Sequence, residues 1–362
     1  MSSPQPAGEA EGALDHLLTW RESSTSGEAI EAAVEAARSA PAAARTILGG
    51  ASRVVLTGAG SSYYLALAAA AVARETTHRA FAAAPLSEIL LRPTGVLVGG
   101  DPASEPVVVI SRSGSTSEAV AVADRVRELG HPTIAVTCRA GSPLAGRTDV
   151  TLVSPAGDEE AIVMTRSFAS MLALLIGVVA TVAGDGALEA DLGRAGGCWP
   201  DVAAAAAVGR RLGATDWSRV VVLGGGAAAG IAAEWGLKLT ETSQVATSTY
   251  EPLEFRHGPI SVCEPGTLVV GLVGGAGAVE EVRVLQEAAR FGAETWVLAR
   301  DAEEARGAPG TVSLIGGGLH PSARLPLLLH PGHALALSLA LTRGCDPDAP
   351  RHLGQVVIID PP

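Results

Sequence analysis

A doubly wound, mostly parallel α/β architecture in two repeats is what the sequence predicts, from three observations. Short apolar runs such as Arg53–Thr57 (RVVLT) and Arg219–Leu223 (RVVVL) are each stopped by a glycine-rich turn, and each turn leads into a helical stretch. Strand, turn and helix in alternation place parallel strands under helical crossovers. The same opening recurs about 165 residues later, which is duplication and too long a period for a solenoid.

The elements follow in order. Residues 1–12 are polar and read as a disordered tail, and Leu14–Leu48 as helical. Arg53–Thr57 is a buried strand ended by Gly58-Ala59-Gly60-Ser61-Ser62, with a helix over Tyr63–Arg74. Pro106–Ile110 is a second strand, running into Ser111-Arg112-Ser113-Gly114-Ser115-Thr116 and an amphipathic helix over Ser117–Leu129. Thr133–Thr137 and Val150–Val153 complete the strands of the first repeat, and a long helix covers about Thr165 to Val182. Gly184–Gly197 reads as a linker. In the second repeat the strands are Arg219–Leu223, Leu268–Val273, Thr295–Leu298 and Gly310–Ile315, with a helix over Ala228–Glu241. Val356–Ile359 is one further strand-like run. The domains are therefore expected at 13–190 and 191–349, with a tail over 350–362.

Composition narrows the function. The chain has 362 residues, 48% of them hydrophobic, with Lys+Arg 26 against Asp+Glu 38 and a net charge of −12. Nucleic-acid phosphates are bound by Lys/Arg surfaces, so this balance argues against a nucleic-acid partner. Aromatics at 3% leave few stacking platforms for bases. Cys138, Cys198, Cys263 and Cys345 form no CxxC pair, so neither a disulfide framework nor a zinc site is indicated. Mean hydropathy is +0.31, yet the most apolar run, Met171–Ala183, is about 13 residues, against roughly 18 for a membrane span. No export signal is visible, and the expectation is a cytoplasmic protein without a membrane partner.

Lys238 is the sole lysine, the other 25 basic residues being arginine. Arginine cannot replace lysine where a compact ammonium is required. Glu234, Lys238 and Glu241 stand at i, i+4 and i+7 on one helix face. That pattern fits an exposed ion-pair ladder. It also fits a partly buried carboxylate beside an ammonium, a tuned general base.

Ser111, Ser113, Ser115 and Thr116 put four hydroxyls within six residues at the start of a helix. Helix N-termini bind anions through unpaired N–H groups and the macrodipole. Ordinary capping needs only one hydroxyl, so the excess favours phosphate. Arg112 either adds a charge or faces solvent. Gly58 and Gly60 lack the third glycine of a dinucleotide fingerprint, position 63 being Tyr63, and position 78 is His78 rather than an acid. His257 precedes Gly258-Pro259, which presents its imidazole from a turn, and histidine titrates near neutrality. His320, His330 and His333 lie among Pro321 and Pro331 and read as loop residues without metal spacing.

Together GAGSSYYLA (58–66), SRSGSTSE (111–118), EEAIVMTRSF (159–168), EWGLKLTE (234–241), EFRHGP (254–259) and DPDAPRHLGQVVI (346–358) resemble the sugar isomerase (SIS) domain family. The likeness is to its tandem members: the isomerase half of glucosamine-6-phosphate synthase, and stand-alone amino-sugar-phosphate deaminases, isomerases and fructosamine-6-phosphate deglycases. It implies two SIS domains and a phosphosugar ligand. It implies that Gly60, Ser61, Ser62 and Ile162 line the sugar site, and that Ser111, Arg112, Ser113, Ser115 and Thr116 surround the 6-phosphate. It implies that Glu241 moves a proton between C1 and C2, that Lys238 sits one turn before it, and that His257 assists ring opening across a homodimer interface. It implies a C-terminal segment with Gly354 and Gln355 closing over the sugar, and no metal or redox cofactor.

No segment resembling an amidohydrolase domain precedes the repeats, so ammonia from glutamine is not expected. Gln355 stands where the synthase carries a lysine able to form a Schiff base. That departure favours a substrate that brings its own nitrogen, and hence deamination or isomerisation of an aminohexose 6-phosphate. A plain aldose–ketose isomerase and a deglycase are the alternative enzymes. A non-catalytic phosphosugar sensor is the alternative of another class, disfavoured by the acidic charge and by Glu241, Lys238 and His257 occurring together.

Overall fold

The computed structural model describes residues 12–355. Ten strands form two five-stranded sheets. The first holds β1 (Arg53–Gly58), β2 (Ala80–Pro85), β3 (Val107–Ile110), β4 (Thr133–Thr137) and β5 (Val150–Val153), in the order β2-β1-β3-β4-β5. The second holds β6 (Arg219–Gly224), β7 (Ala246–Tyr250), β8 (Thr267–Leu272), β9 (Glu294–Ala299) and β10 (Thr311–Leu314), in the order β10-β9-β8-β6-β7. Every pairing is parallel, and counted from its own first strand each sheet has the same order. Val356–Ile359 lies outside the described residues.

The chain divides into two compact units. One comprises Ser26–Glu159, Arg166–Gly196 and residues 354–355, around the first sheet. The other comprises residues 12–25, Glu160–Thr165 and Gly197–Leu353, around the second. The inner strands β1, β3, β4, β6, β8 and β9 are buried along nearly their whole length without alternation, as in a sheet covered on both faces. In the first unit Val55, Val107 and Val109 pack with Val122 and Val126 of the Ser117–Glu128 helix. In the second, Val221, Leu223 and Val269 pack with Val282 and Leu285 of the Ala278–Arg290 helix.

The strands that open the two repeats turn into helices by one device. A Cβ on Gly58 would lie 2.4 Å from the Ser62 carbonyl carbon, and one on Gly224 would lie 2.5 Å from the Ala228 oxygen. Only glycine permits that approach. Both following helices then end on a left-handed residue, His78 (φ 55°) and Gln244 (φ 54°), before β2 and β7.

Sequence patterning missed β2 and β7. Both are edge strands, AFAAAP and ATSTY, half-exposed and without the run of valine, isoleucine or leucine that marks the inner strands. Gly184–Gly197 is not a linker. Asp185 caps a helix over Gly186–Arg194 by accepting from the Leu188 N–H (3.0 Å), and Leu188 and Leu192 are buried. The long apolar helix runs over Arg166–Ala183, beyond the 13-residue run. It and Pro321–Thr342 are long and apolar enough to cross a membrane, and their most apolar windows are 78% and 83% buried within the fold.

His330 and His333 are not loop residues. They occupy the first turn and a half of the Leu329–Thr342 helix and are buried. Pro331 is tolerated there because first-turn N–H groups have no helical partner. Trp20 and Trp199 stack on His330, with centroids at 4.7 and 5.2 Å. Ser23 Oγ lies 2.7 Å from Nδ1 of both histidines. One hydroxyl proton serves one imidazole, so in the neutral pair the other imidazole must donate its Nδ1–H to Ser23.

Burial pushes His330 down to about 3 and His333 well below the usual histidine range. A depressed folded-state value means that the unfolded chain binds more protons below about pH 6.5, so stability is full above that pH and falls as pH drops through it. Each histidine is expected to cost about 1.4 kcal/mol between pH 7.5 and 5.5. Urea unfolding at the two pH values checks this, and His333→Gln should reduce the difference by one histidine's share.

Candidate functional site

In a sheet of this order the topological switch lies between its first and third strands, and ligands bind at their carboxyl ends. In the first unit β1 pairs with β3 through Thr57↔Val109, so the loops that follow Gly58 and Ile110 are neighbours. Two helices begin there, Ser61–Thr77 and Ser117–Glu128, and neither has a side-chain capping bond. Gly60, at φ 54°, starts the first, and Ser61 and Ser62 are buried in its opening turn.

The Ser111–Thr116 loop holds its own shape. Ser111 Oγ accepts from the Gly114 N–H (3.2 Å), and Ser113 Oγ accepts from the Ser115 N–H (3.1 Å). Ser115 is exposed, and its hydroxyl donates to the Ser113 carbonyl (3.3 Å). Thr116 Oγ1 accepts from the Ser111 hydroxyl at 3.4 Å instead of capping its helix. Gly114 sits at φ 61°, and a Cβ there would lie 2.2 Å from Ser142 Oγ, so conformation and space both demand glycine. Hydroxyls beside uncapped helix N-termini are the donor set for a phosphate.

Arg112 does not face solvent. It is buried, 3.5 Å from Glu159 Oε1, and it donates to the Gln355 carbonyl oxygen. Glu159 was legible only as part of a motif, since its role depends on a contact 47 residues from Arg112.

The second unit contains the other half of the expected residues. Lys238 Nζ lies 2.6 Å from Glu241 Oε2 and 3.3 Å from Glu234 Oε1. Glu234 and Lys238 are buried, whereas the Glu241 side chain is 19% exposed. The ladder is therefore no surface feature. Burial opposes the Lys238 charge, but the two carboxylates outweigh it and hold the ammonium above the usual lysine range. The only lysine of the chain is thus a fixed cation rather than an amine nucleophile.

His257 is exposed after the Pro252–Phe255 helix, and the following Gly258 has φ 124°. Ile162 is half-buried in the Glu160–Thr165 segment, whose Glu160 and Ala161 N–H groups donate to the buried Glu22 carboxylate (2.8 and 3.0 Å). A lone position in a sequence could not have indicated where either residue lies.

The switch point of the second sheet is chemically different. There the loop N–H groups of Gly274 and Gly275 donate to Glu281 and Glu304 (3.0 Å each). Burial, with Glu251 and Glu304 nearby, pushes Glu281 up to about 7 against the Gly274 hydrogen bond. Carboxylates of the chain itself take the positions a ligand anion would need.

A duplicated doubly wound fold, with a hydroxyl-rich loop in one repeat and a buried acid–ammonium–acid group in the other, defines a class of tandem α/β proteins. The chain belongs to the SIS domain family, whose profile matches residues 47–180 and 215–305. Glutamine–fructose-6-phosphate aminotransferase [isomerizing] of Shouchella clausii is 30% identical over 264 residues, covering 70% of this chain and 43% of that protein. The chain thus spans under half the length of such curated relatives. Glucosamine-6-phosphate deaminase of Thermotoga maritima is 25% identical with a TM-score of 0.77, over 94% of this chain and 99% of that one. Tagatose-6-phosphate ketose/aldose isomerase of Escherichia coli, at 23% identity and a TM-score of 0.81 over 99% of each chain, shares the fold.

Removing one partner of a buried ion pair leaves the other charge uncompensated. Lys238→Met should therefore cost about 3–5 kcal/mol of stability, and Lys238→Met with Glu234→Gln should recover a large part. Chemical denaturation of the two variants checks this.

Proposed function

We propose that this protein is an amino-sugar-phosphate deaminase acting on an aminohexose 6-phosphate in the cytoplasm. The observation that carries the reading is the Lys238 group: an ammonium locked between carboxylates beside a partly exposed one, Glu241. A carboxylate with solvent access beside a fixed cation can take a carbon-bound proton. The 25% identity to a glucosamine-6-phosphate deaminase over nearly the whole chain supports the substrate class.

In this reading the Ser111–Thr116 loop holds the 6-phosphate, and Ser61 and Ser62 hold sugar hydroxyls. His257, supplied from the neighbouring subunit of a homodimer, opens the ring. Glu241 removes the C2 proton of the open aldose and returns it to C1, so the C2 amine becomes a ketimine. Water adds to C2 and ammonia leaves, giving a ketose 6-phosphate. The balance is aminohexose phosphate plus water to ketose phosphate plus ammonia. No lysine Schiff base is required, which suits Gln355 and the fixed charge of Lys238.

The test is ammonia release from glucosamine and galactosamine 6-phosphates, their N-acetyl forms and fructosamine 6-phosphates. Release from a free aminohexose phosphate is expected, and Glu241→Gln should lower kcat at least about a hundredfold with KM within about threefold. Release from fructosamine phosphates alone would make the protein a deglycase. Silence across the panel would overturn the deaminase reading.

A further inference from the structure

Between Glu159 and Arg166 the chain leaves the unit of the first sheet, and Glu160–Thr165 belong to the other unit. These residues form neither helix nor strand. A segment of that kind must find acceptors for its buried N–H groups elsewhere. Burial alternates along it: Ala161, Val163 and Thr165 are buried, while Ile162 and Met164 are half-buried.

One carboxylate meets the first two N–H groups of the segment. Glu22 accepts from the Glu160 N–H through Oε1 (2.8 Å) and from the Ala161 N–H through Oε2 (3.0 Å). Its side chain is almost wholly removed from water, the residue being 6% exposed. Hydrogen bonds to an ionised acceptor are shorter and stronger than neutral ones. Two of them from successive residues fix where the alternation of burial starts.

The helix that carries Glu22, Leu18–Ser24, is itself tied at both ends. Its N-cap, Leu17, supplies no side-chain bond, and Asp348 takes that place. Asp348 accepts from the Leu18 N–H (2.7 Å), the Thr19 N–H (2.9 Å) and the Thr19 hydroxyl (2.7 Å). In the last turn Ser23 bonds both His330 and His333. The helix of those histidines packs on the Lys238 helix, where Thr242 Oγ1 donates to the Ala336 oxygen (3.3 Å). Glu22 therefore reaches the segment from a support that is anchored to the acid–ammonium–acid group.

We propose that Glu22 is a positioning residue for sugar binding, holding Glu160–Thr165 in the register that presents Ile162 to the ligand. The inference rests on the reading of Ile162 as lining a phosphosugar site, and it adds the residue that keeps Ile162 in place. The effect falls on the sugar and not on the phosphate, because the Ser111–Thr116 loop closes its own hydrogen bonds. Glutamine at position 22 would keep the shape but has one accepting oxygen, so one segment N–H would lose its acceptor.

The experiment uses the full chain, Glu22→Gln and two probes, glucosamine 6-phosphate and inorganic phosphate. Hydrogen exchange of residues 160–165 is followed without ligand, and both affinities are measured by calorimetry. Exchange of the segment should quicken in the variant while that of β6 and β8 stays unchanged. Glucosamine 6-phosphate should bind at least about fivefold more weakly, with inorganic phosphate within about twofold of the unmodified protein. Equal weakening of both probes would overturn the proposal, because Glu22 would then act on the fold as a whole. Unchanged affinity for glucosamine 6-phosphate would overturn it as well, and would leave the phosphosugar reading standing.

Should Glu22→Gln not fold, Glu22→Asp keeps the charge, withdraws both oxygens by one methylene and is expected to give the same pattern. Should neither probe bind the unmodified protein, the phosphosugar reading falls and takes the ligand role of Glu22 with it. The ligand-free exchange then decides whether Glu22 holds the segment, and an unchanged rate would overturn that too.

Discussion

A parallel strand cannot reach its neighbour without a crossover, and that constraint organises both units of this protein. The crossovers after β1, β3, β6 and β8 run through helices that start just past the strand ends, so helix N-termini gather at the carboxyl edge of each sheet. At the switch between the first and third strands the chain departs in opposite directions, and a crevice opens between helices on opposite faces. Gly58 and Gly224 make those departures, since only a residue without Cβ lets the strand end approach the helix backbone so closely.

The two repeats answer the electrostatics of that edge differently. In the first unit the loop N–H groups and helix starts face hydroxyls that are neutral and can share an incoming anion. In the second unit Glu281 and Glu304 bond to the loop amides directly. The cost of that choice shows in Glu281, whose carboxyl retains its proton to about pH 7. Duplication kept the backbone device and changed the chemistry placed on it.

The acid–ammonium–acid group on the Ala228–Ser243 helix shows how burial changes the energetics of a common surface pattern. On a solvated helix, Glu and Lys at i, i+3 and i+4 contribute a few tenths of a kcal/mol. With Glu234 and Lys238 removed from water, each charge requires the other. Glu241, at the open end of the row, keeps solvent access and the influence of a permanent cation.

The sequence by itself determined the fold class, the duplication, eight of the ten strands and the hydroxyl-rich loop after β3. These rest on local patterns: apolar runs, glycines at strand ends, and hydroxyls at a helix start. It did not reveal β2 or β7, because an edge strand shares its hydrogen bonds on one side only and needs no apolar run. It misread Gly184–Gly197, where Asp185 and two buried leucines outweigh the glycines, and it placed His330 and His333 in loops because prolines stood beside them. That Lys238 is buried between its carboxylates, that Arg112 is buried, and that Glu159 and Gln355 receive it came from the tertiary structure alone. The reason is that burial and pairing depend on residues distant in the chain, and no local pattern carries that information.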